Sequence, residues 1–428
     1  MNKVWHCIQE FLILKIVYPV FLKYVDDYLI TDTEEIQQAK IANDLPDLNS
    51  EYQQLSILKF IYSILFDYIH NHLIDRQTLI TQCQSKNNLF QLDHQEIIQV
   101  DSPIYEGELL PMLEAKRGVF EFTTPFAAVV ENVELFGLHG IGFTETKKII
   151  LETSLDREDC LRYSLIQTFK QGFDRQYIMP AANLEKIDLA CSLVNYWSHL
   201  YSHWILENLT RLEALEHYSA KTGKQPILII NPNPPKWQIR SLELMGYPVE
   251  NCWQWNGRRT KVKELVICSK RRQTGRTSIK ACHWLRERII SNIEPHTSSN
   301  LVLSPNVFIS RKKANSRRIL NEQEVIDCLG KMNFVTYVLE DIDWEDQVKI
   351  FAQAEIIVAP HGAGVCNMIF ATKKAIVIEI FARKISHAFY ALAQGLGFKY
   401  GYILGQAIDE NIIVNCQELE CLIQRMLK

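Results

Sequence analysis

Residues 358–371 read VAPHGAGVCNMIFA. An apolar run is followed by His361, Gly362, Ala363 and Gly364, one side chain that titrates near neutrality and three that are almost absent. Such a step from an apolar run to helical spacing is a strand-to-helix turn. Glycines let a ligand approach the backbone closely. The first N–H groups of the helix then face an anion, and the macrodipole adds partial positive charge. A diphosphate fits there, with His361 donating to a phosphate or leaving-group oxygen. HGAG is neither GxGxxG nor a Walker loop, so by itself the stretch equally fits a tight helix-capping turn.

Two further groups of residues can do chemistry. SRKKANSRRILNEQE (310–324) places Arg311, Arg317 and Arg318 after another apolar run. Guanidinium forks suit phosphate oxygens, although basic runs are commonly solvated loops. Glu379, in AIVIEIF, stands near the end of the next strand, where it can hold ribose hydroxyls or simply meet solvent. In NYWSHLYSHWILENLTRL (195–212), His199, His203 and Glu207 fall at i, i+4 and i+8, one face of a helix that reaches that far back. The spacing is too loose for zinc and fits a general base with its orienting partner. Either His203 or Glu207 can take the proton, and His199 reads equally well as an interface histidine. Asp341 and Asp343 have DxD spacing, but they sit between a strand and a helix and read as an N-cap rather than a metal site.

The elements that must hold these residues fall into three stretches. Residues 1–115 read as helical. LSILKFIYSILFDYI (55–69) has apolar residues on one face, and the polar stretches around 31–53 and 82–93 read as loops. Residues 116–225 begin with short Val-, Phe- and Ile-rich runs split by turns, which is strand chemistry. They end in WILENLTRLEALEHYSAKTG (204–223), an amphipathic helix with Gly223 as its C-cap. Residues 226–428 alternate apolar runs (PILIINP, ELVICS, NVFISR, FVTYVL, EIIVAP, AIVIEIF, KYGYIL) with helical segments. That rhythm predicts βαβ units and a parallel, doubly wound sheet. Asn321 and Glu324 stand at capping-box spacing ahead of one helix.

Composition narrows the function. A chain of 428 residues is long for one core. A net charge of −4, with 22% charged residues, argues against a nucleic-acid binder. Eleven dispersed cysteines without a CxxC pair fit a reduced compartment, hence a cytoplasmic site or the inner face of the plasma membrane. The apolar runs at 11–14 and 16–22 are split by Lys15 and Pro19. They fall short of the roughly 20 residues of a spanning helix, and no cleavage site follows. The basic stretch 258–276, with eight Lys or Arg and one Glu, can meet an anionic membrane face or remain a solvated loop.

Taken in order, the motifs resemble glycosyltransferase family 61, most closely the bacterial members associated with capsular polysaccharide. Tyr201, His203, Trp204, Ile205, Glu207 and Arg211-Leu212 match its first pattern, with Thr210 where proline is usual. Ser310-Arg311, Arg317-Arg318 and Asn321-Glu322 match the second, and Pro360 to Gly364 with Asn367 match the third. Ile378-Glu379-Ile380 approximates a fourth. The resemblance covers about 118–410 and leaves the first hundred residues outside.

The family implies an α/β fold of GT-B type, with two Rossmann-like domains facing a cleft; here they carry a helical N-terminal extension. It implies inverting, metal-independent transfer from a nucleotide sugar, usually a uridine diphosphate sugar, to a glycan or lipid-linked saccharide. No cofactor is needed. His203 and Glu207 become the catalytic pair. Arg311, Arg317, Arg318, His361, Gly362, Ala363, Gly364, Asn367 and Glu379 become the donor site. A nucleotide-binding protein without catalysis and a transferase of a non-sugar group such as pyruvyl are the competing readings.

Overall fold

In the second half of the chain, apolar runs such as IIVAP (356–360) and IVIEIF (376–381) are buried almost throughout, the signature of parallel strands covered on both faces. A computed structural model describes residues 72–93, 95–170, 184–293, 301–383 and 385–428. The apolar runs at 11–22 and the amphipathic stretch 55–69 lie outside these residues.

The second sheet has six strands, all parallel, ordered Val335–Val338, Asn306–Ser310, Ile356–Pro360, Ile376–Phe381, Lys399–Leu404 and Ile104–Glu106. Taking the five strands from 306 onward in chain order, the spatial order is 2-1-3-4-5, a doubly wound arrangement. Its direction reverses between Asn306–Ser310 and Ile356–Pro360. Ligands bind at that switch point, at the carboxyl ends of the strands. The loop carrying Arg311 leaves one of these two ends and the HGAG turn leaves the other.

The first sheet has nine strands and is mixed. Its parallel part runs Trp253–Gln254, Ile227–Ile230, Glu185–Ser192, Thr260–Cys268. In chain order this is 3-2-1-4, with its own reversal between Glu185–Ser192 and Thr260–Cys268. Phe126–Phe136 continues it antiparallel, followed by Ile141–Phe143. The strands expected after residue 118 are therefore present.

Two expectations need correction. The alternation places PILIINP and ELVICS with the C-terminal stretch, yet both strands hydrogen-bond in the first sheet. Local period cannot say which sheet a strand joins, so the sheet boundary falls after Cys268 rather than near 225. Residues 72–115 are not an independent helical region either. They hold a ten-residue helix, Arg76–Ser85, a single turn, Pro111–Glu114, and the strands Leu73–Ile74, Leu89–Gln91, Glu96–Val100 and Ile104–Glu106. Glu96–Val100 pairs antiparallel with Gly118–Phe122, and Ile104–Glu106 completes the second sheet. The stretch 82–93, read as a loop, is the end of that helix and a strand.

No helix among the described residues is long and apolar enough to cross a membrane. The basic stretch 258–276 is largely engaged internally: Arg259 with Glu134, Lys270 with Asp156, Arg271 with Glu213 and Arg272 with Glu207. Those side chains are not a free membrane-facing patch.

Candidate active site

His203 and Glu207 are positioned by an irregular helix. One helical turn, Tyr201–His203, leads into a π-helical turn, Trp204–Asn208, then a 3₁₀ turn, Leu209–Arg211, and finally the α-helix Leu212–Thr222. Trp204, Ile205, Leu206 and Leu209 are buried, which draws Glu207 into the core at 2% exposure. π-turns inside helices often mark functional sites. Gly223 ends the run in the left-handed conformation, as expected. The helix does not extend back to His199, which is exposed at the end of the preceding turn, so the three-residue face is not formed.

His203 Nδ1 lies 2.9 Å from Glu207 Oε2, and Arg272 Nη1 donates to Glu207 Oε1 at 2.9 Å. Burial pushes the Glu207 carboxyl up, but the bond from His203 and the charges of Arg272, His203 and Arg157 outweigh it and hold it at about 2. Glu207 is thus an anion at neutral pH. An anion only accepts, so His203 Nδ1 carries a proton and donates to Glu207, and Nε2 makes no hydrogen bond among the described residues. Trp197 stacks on the imidazole, with centroids 5.1 Å apart and planes 16° apart. Among the described residues no cluster of three metal-ligating side chains is present.

The HGAG turn leaves the buried strand Ile356–Pro360 and opens a 3₁₀ helix, Ala363–Phe370, rather than an α-helix. Ala363 is exposed and Gly364 half-buried, so the turn opens to solvent. Gly362 has φ −179°, an extended conformation any residue adopts; what matters there is the missing side chain. A Cβ at 362 would lie 2.0 Å from Arg311 Nη1, and one at 364 would lie 2.6 Å from Leu339 Cδ1. The two loops of the switch point therefore touch, guanidinium against glycine.

Arg311 is mostly withdrawn from water. It donates to the Ser316 carbonyl at 3.2 Å, its Nε has no hydrogen-bond partner among the described residues, and burial, with the charge of Arg317, lowers it to about 10. Burial also lowers Arg317, whose backbone is left-handed at φ 59°. Among the described residues no carboxylate lies within ion-pair distance of either. Two partly desolvated, mutually repelling guanidiniums at a switch point form a site that an anion relieves.

Other donor-site expectations fare differently. Arg318 is exposed and bonds Asn411, away from the turn. Glu379 is fully buried, accepting from His361 Nδ1 at 2.7 Å and from the Tyr400 hydroxyl at 2.7 Å. Both oxygens are occupied out of solvent, so it orients His361 instead of meeting a ribose. Asn367 is buried too, and its Oδ1 accepts from the Tyr201 hydroxyl at 2.6 Å. Asp343 takes the N-cap position of the helix Trp344–Gln353, but without a side-chain cap bond. Asn321 takes the N-cap position of Glu322–Gly330; its side chain holds Glu324 and the Val414 backbone instead of closing a capping box.

Three side chains outside the expected catalytic and donor sets join the parts. Arg272 follows the strand Thr260–Cys268 and locks Glu207. Tyr201 bridges the sheets, accepting from Trp344 Nε1 at 2.8 Å while donating to Asn367. Tyr400 anchors Glu379. Tyr201 left a signal as the first residue of the matched pattern, and Arg272 as part of a basic run directly after an apolar strand.

Residues 201–378 match the family profile described as Glycosyltransferase 61. This span is narrower than the resemblance read from the sequence. The chain is similar to EGF domain-specific O-linked N-acetylglucosamine transferase of Gallus gallus, 25% identical over 99 residues, 22% of this chain and 18% of the relative. It is also similar to protein O-linked-mannose beta-1,4-N-acetylglucosaminyltransferase 2 of Bos taurus, 31% identical over 111 residues, 24% of this chain and 19% of the relative. The human protein of that name is 30% identical over 97 residues, 21% and 17%. The matches thus span under a fifth of the length of these relatives.

Proposed function

We propose that the chain is an inverting glycosyltransferase of GT-B type that moves a sugar from a nucleoside diphosphate sugar to a hydroxyl of a glycan or lipid-linked saccharide. The observation that carries this reading is the contact of Arg311 with Gly362 at the switch point of the second sheet. It gathers two guanidiniums without a carboxylate partner among the described residues, and a helix start, where a diphosphate would sit. The names of the relatives make N-acetylglucosamine the first sugar to try, and the motif resemblance makes uridine diphosphate its carrier. A bacterial polysaccharide acceptor, as in capsule synthesis on the cytoplasmic side, follows from the motif resemblance.

In this mechanism the acceptor hydroxyl gives its proton to His203 Nε2 as its oxygen bonds the anomeric carbon. The bond from that carbon to the diphosphate breaks on the opposite face, and the electron pair leaves with the phosphate. Arg311, Arg317 and the N–H groups that open the 363–370 helix stabilise this charge without a metal. Glu207 stays ionised and stabilises the imidazolium. Held at about 2, it is too weak a base to take the proton itself. A nucleotide-binding protein without catalysis would have no use for this buried pair.

A thermal-shift panel of UDP, GDP, CDP, CMP and ADP, each with magnesium and with EDTA, tests the reading. One nucleoside diphosphate should stabilise the protein equally in EDTA, by about 2.7 kcal/mol at 100 times its Kd. Stabilisation by none of them would remove the donor site.

A further inference from the structure

The antiparallel hairpin Arg272–Gln273 and Arg276–Thr277 follows the first sheet's strand Thr260–Cys268. At one end Arg272 holds Glu207. At its tip Gly275 is left-handed (φ 79°), and a Cβ there would lie 2.2 Å from His387 Nε2. His387 precedes the helix Ala388–Gly395, whose Phe389 ring lies 5.5 Å from His361. Lys116 joins the same corner, because Arg276 Nη2 donates to its carbonyl at 2.8 Å while the guanidinium lies 4.8 Å from the Phe120 ring.

This corner holds positive charge that no carboxylate among the described residues matches. Arg276 Nε is buried without a hydrogen-bond partner, and among the described residues neither Lys116 nor Arg276 has a carboxylate at ion-pair distance. Glu114, two residues before Lys116, is taken up by Arg117 at 3.4 Å. Burial and the charges of Lys116, Arg276 and Arg272 together lower the His387 imidazole. Clustered cations beside a reaction centre are tuned to an oxyanion. The diphosphate of the donor already has Arg311 and Arg317.

We propose that Lys116, Arg276 and His387 form a second anion subsite, which takes a phosphate group carried by the acceptor. The proposal rests on the transferase reading above in placing the acceptor here. Lys116 and Arg276 bind the phosphate oxygens, and His387, whose Nε2 lies 3.4 Å from the Thr274 carbonyl, donates to the phosphate through Nδ1 when protonated. The acceptor hydroxyl is thereby oriented toward His203. The phosphate belongs to a soluble sugar phosphate or to a lipid-linked one.

The test uses the full chain saturated with UDP. One arm titrates glucose 1-phosphate by calorimetry. The other measures sedimentation with vesicles of phosphatidylcholine, with and without phosphatidic acid. Binding in either arm is expected, and the responding arm names the source of the phosphate. Lys116→Gln should weaken that binding at least about tenfold, the scale of one lost charge-assisted contact, with UDP affinity unchanged. Lys116 makes no side-chain hydrogen bond among the described residues, so this variant keeps the fold; Arg276→Gln is the second variant. Failure of both probes to bind, or binding that neither variant weakens, overturns the proposal. If UDP itself does not bind but glucose 1-phosphate binds in a Lys116-dependent manner, the donor reading falls and the anion subsite stands.

Discussion

Replacing Glu207 with glutamine isolates the interaction on which the proposed base depends. The carboxyl is 2% exposed and held at about 2, against an ordinary value of 4.5. At 1.36 kcal/mol per unit this corresponds to about 3 kcal/mol of stabilisation. The folded-state value lies below the unfolded one, so the contribution is complete above pH 4.5 and is lost as pH falls through about 2. Glu207→Gln should therefore unfold about 3 kcal/mol more easily than the natural protein at pH 7, within the roughly 3–5 kcal/mol for breaking a buried pair. The gap should narrow steadily below pH 4.5. Urea titrations followed by tryptophan fluorescence read both effects. The Glu207→Gln, Arg272→Met double variant should be less destabilised than the two single changes added together, by more than about 1 kcal/mol, because each leaves the other charge stranded. A glutamine variant within about 1 kcal/mol of the natural protein at pH 7, or strict additivity with Arg272→Met, would refute the reasoning.

Other consequences follow from single contacts. Gly362→Ala puts a methyl group 2.0 Å from Arg311 Nη1, so UDP affinity by calorimetry should fall about tenfold or more. The unfolding midpoint should scarcely move, because the backbone at 362 is ordinary extended chain; unchanged affinity would separate Arg311 from the donor. Tyr201→Phe strands Trp344 Nε1 and leaves Asn367 Oδ1 without its hydroxyl donor, which should destabilise the fold by about 1–3 kcal/mol in denaturant unfolding. A neutral result would mean that this bridge does not tie the two sheets.

What the sequence disclosed follows the range of each signal. The strand-to-helix turn at 361 and the basic loop at 311 are local patterns, and local patterns were legible. That the two loops flank one switch point was not, because strand order is decided by long-range pairing. The same physics misplaced Ile227–Ile230 and Thr260–Cys268, whose apolar runs look alike in either sheet. Glu379 was read as a ribose ligand because its position along the strand was visible, whereas its enclosure by His361 and Tyr400 depends on neighbours 18 and 21 residues away. The i, i+4 pair His203 and Glu207 survived a π-turn because burial of Trp204 and Leu206 fixes the face, while His199 lost its helix. Arg272 lies 65 residues from Glu207, beyond any periodic pattern.

The central claim is that His203, oriented by Glu207, activates a hydroxyl against a sugar whose diphosphate leaves toward Arg311. Water can serve as the hydroxyl, so the acceptor need not be known. The measurement is release of UDP from UDP-N-acetylglucosamine in EDTA, with the anomer of the freed sugar read by NMR before mutarotation. The account predicts slow release with inversion, reduced at least about a hundredfold in His203→Ala, the scale of a lost general base. Retention of configuration, or equal release from His203→Ala, would contradict it.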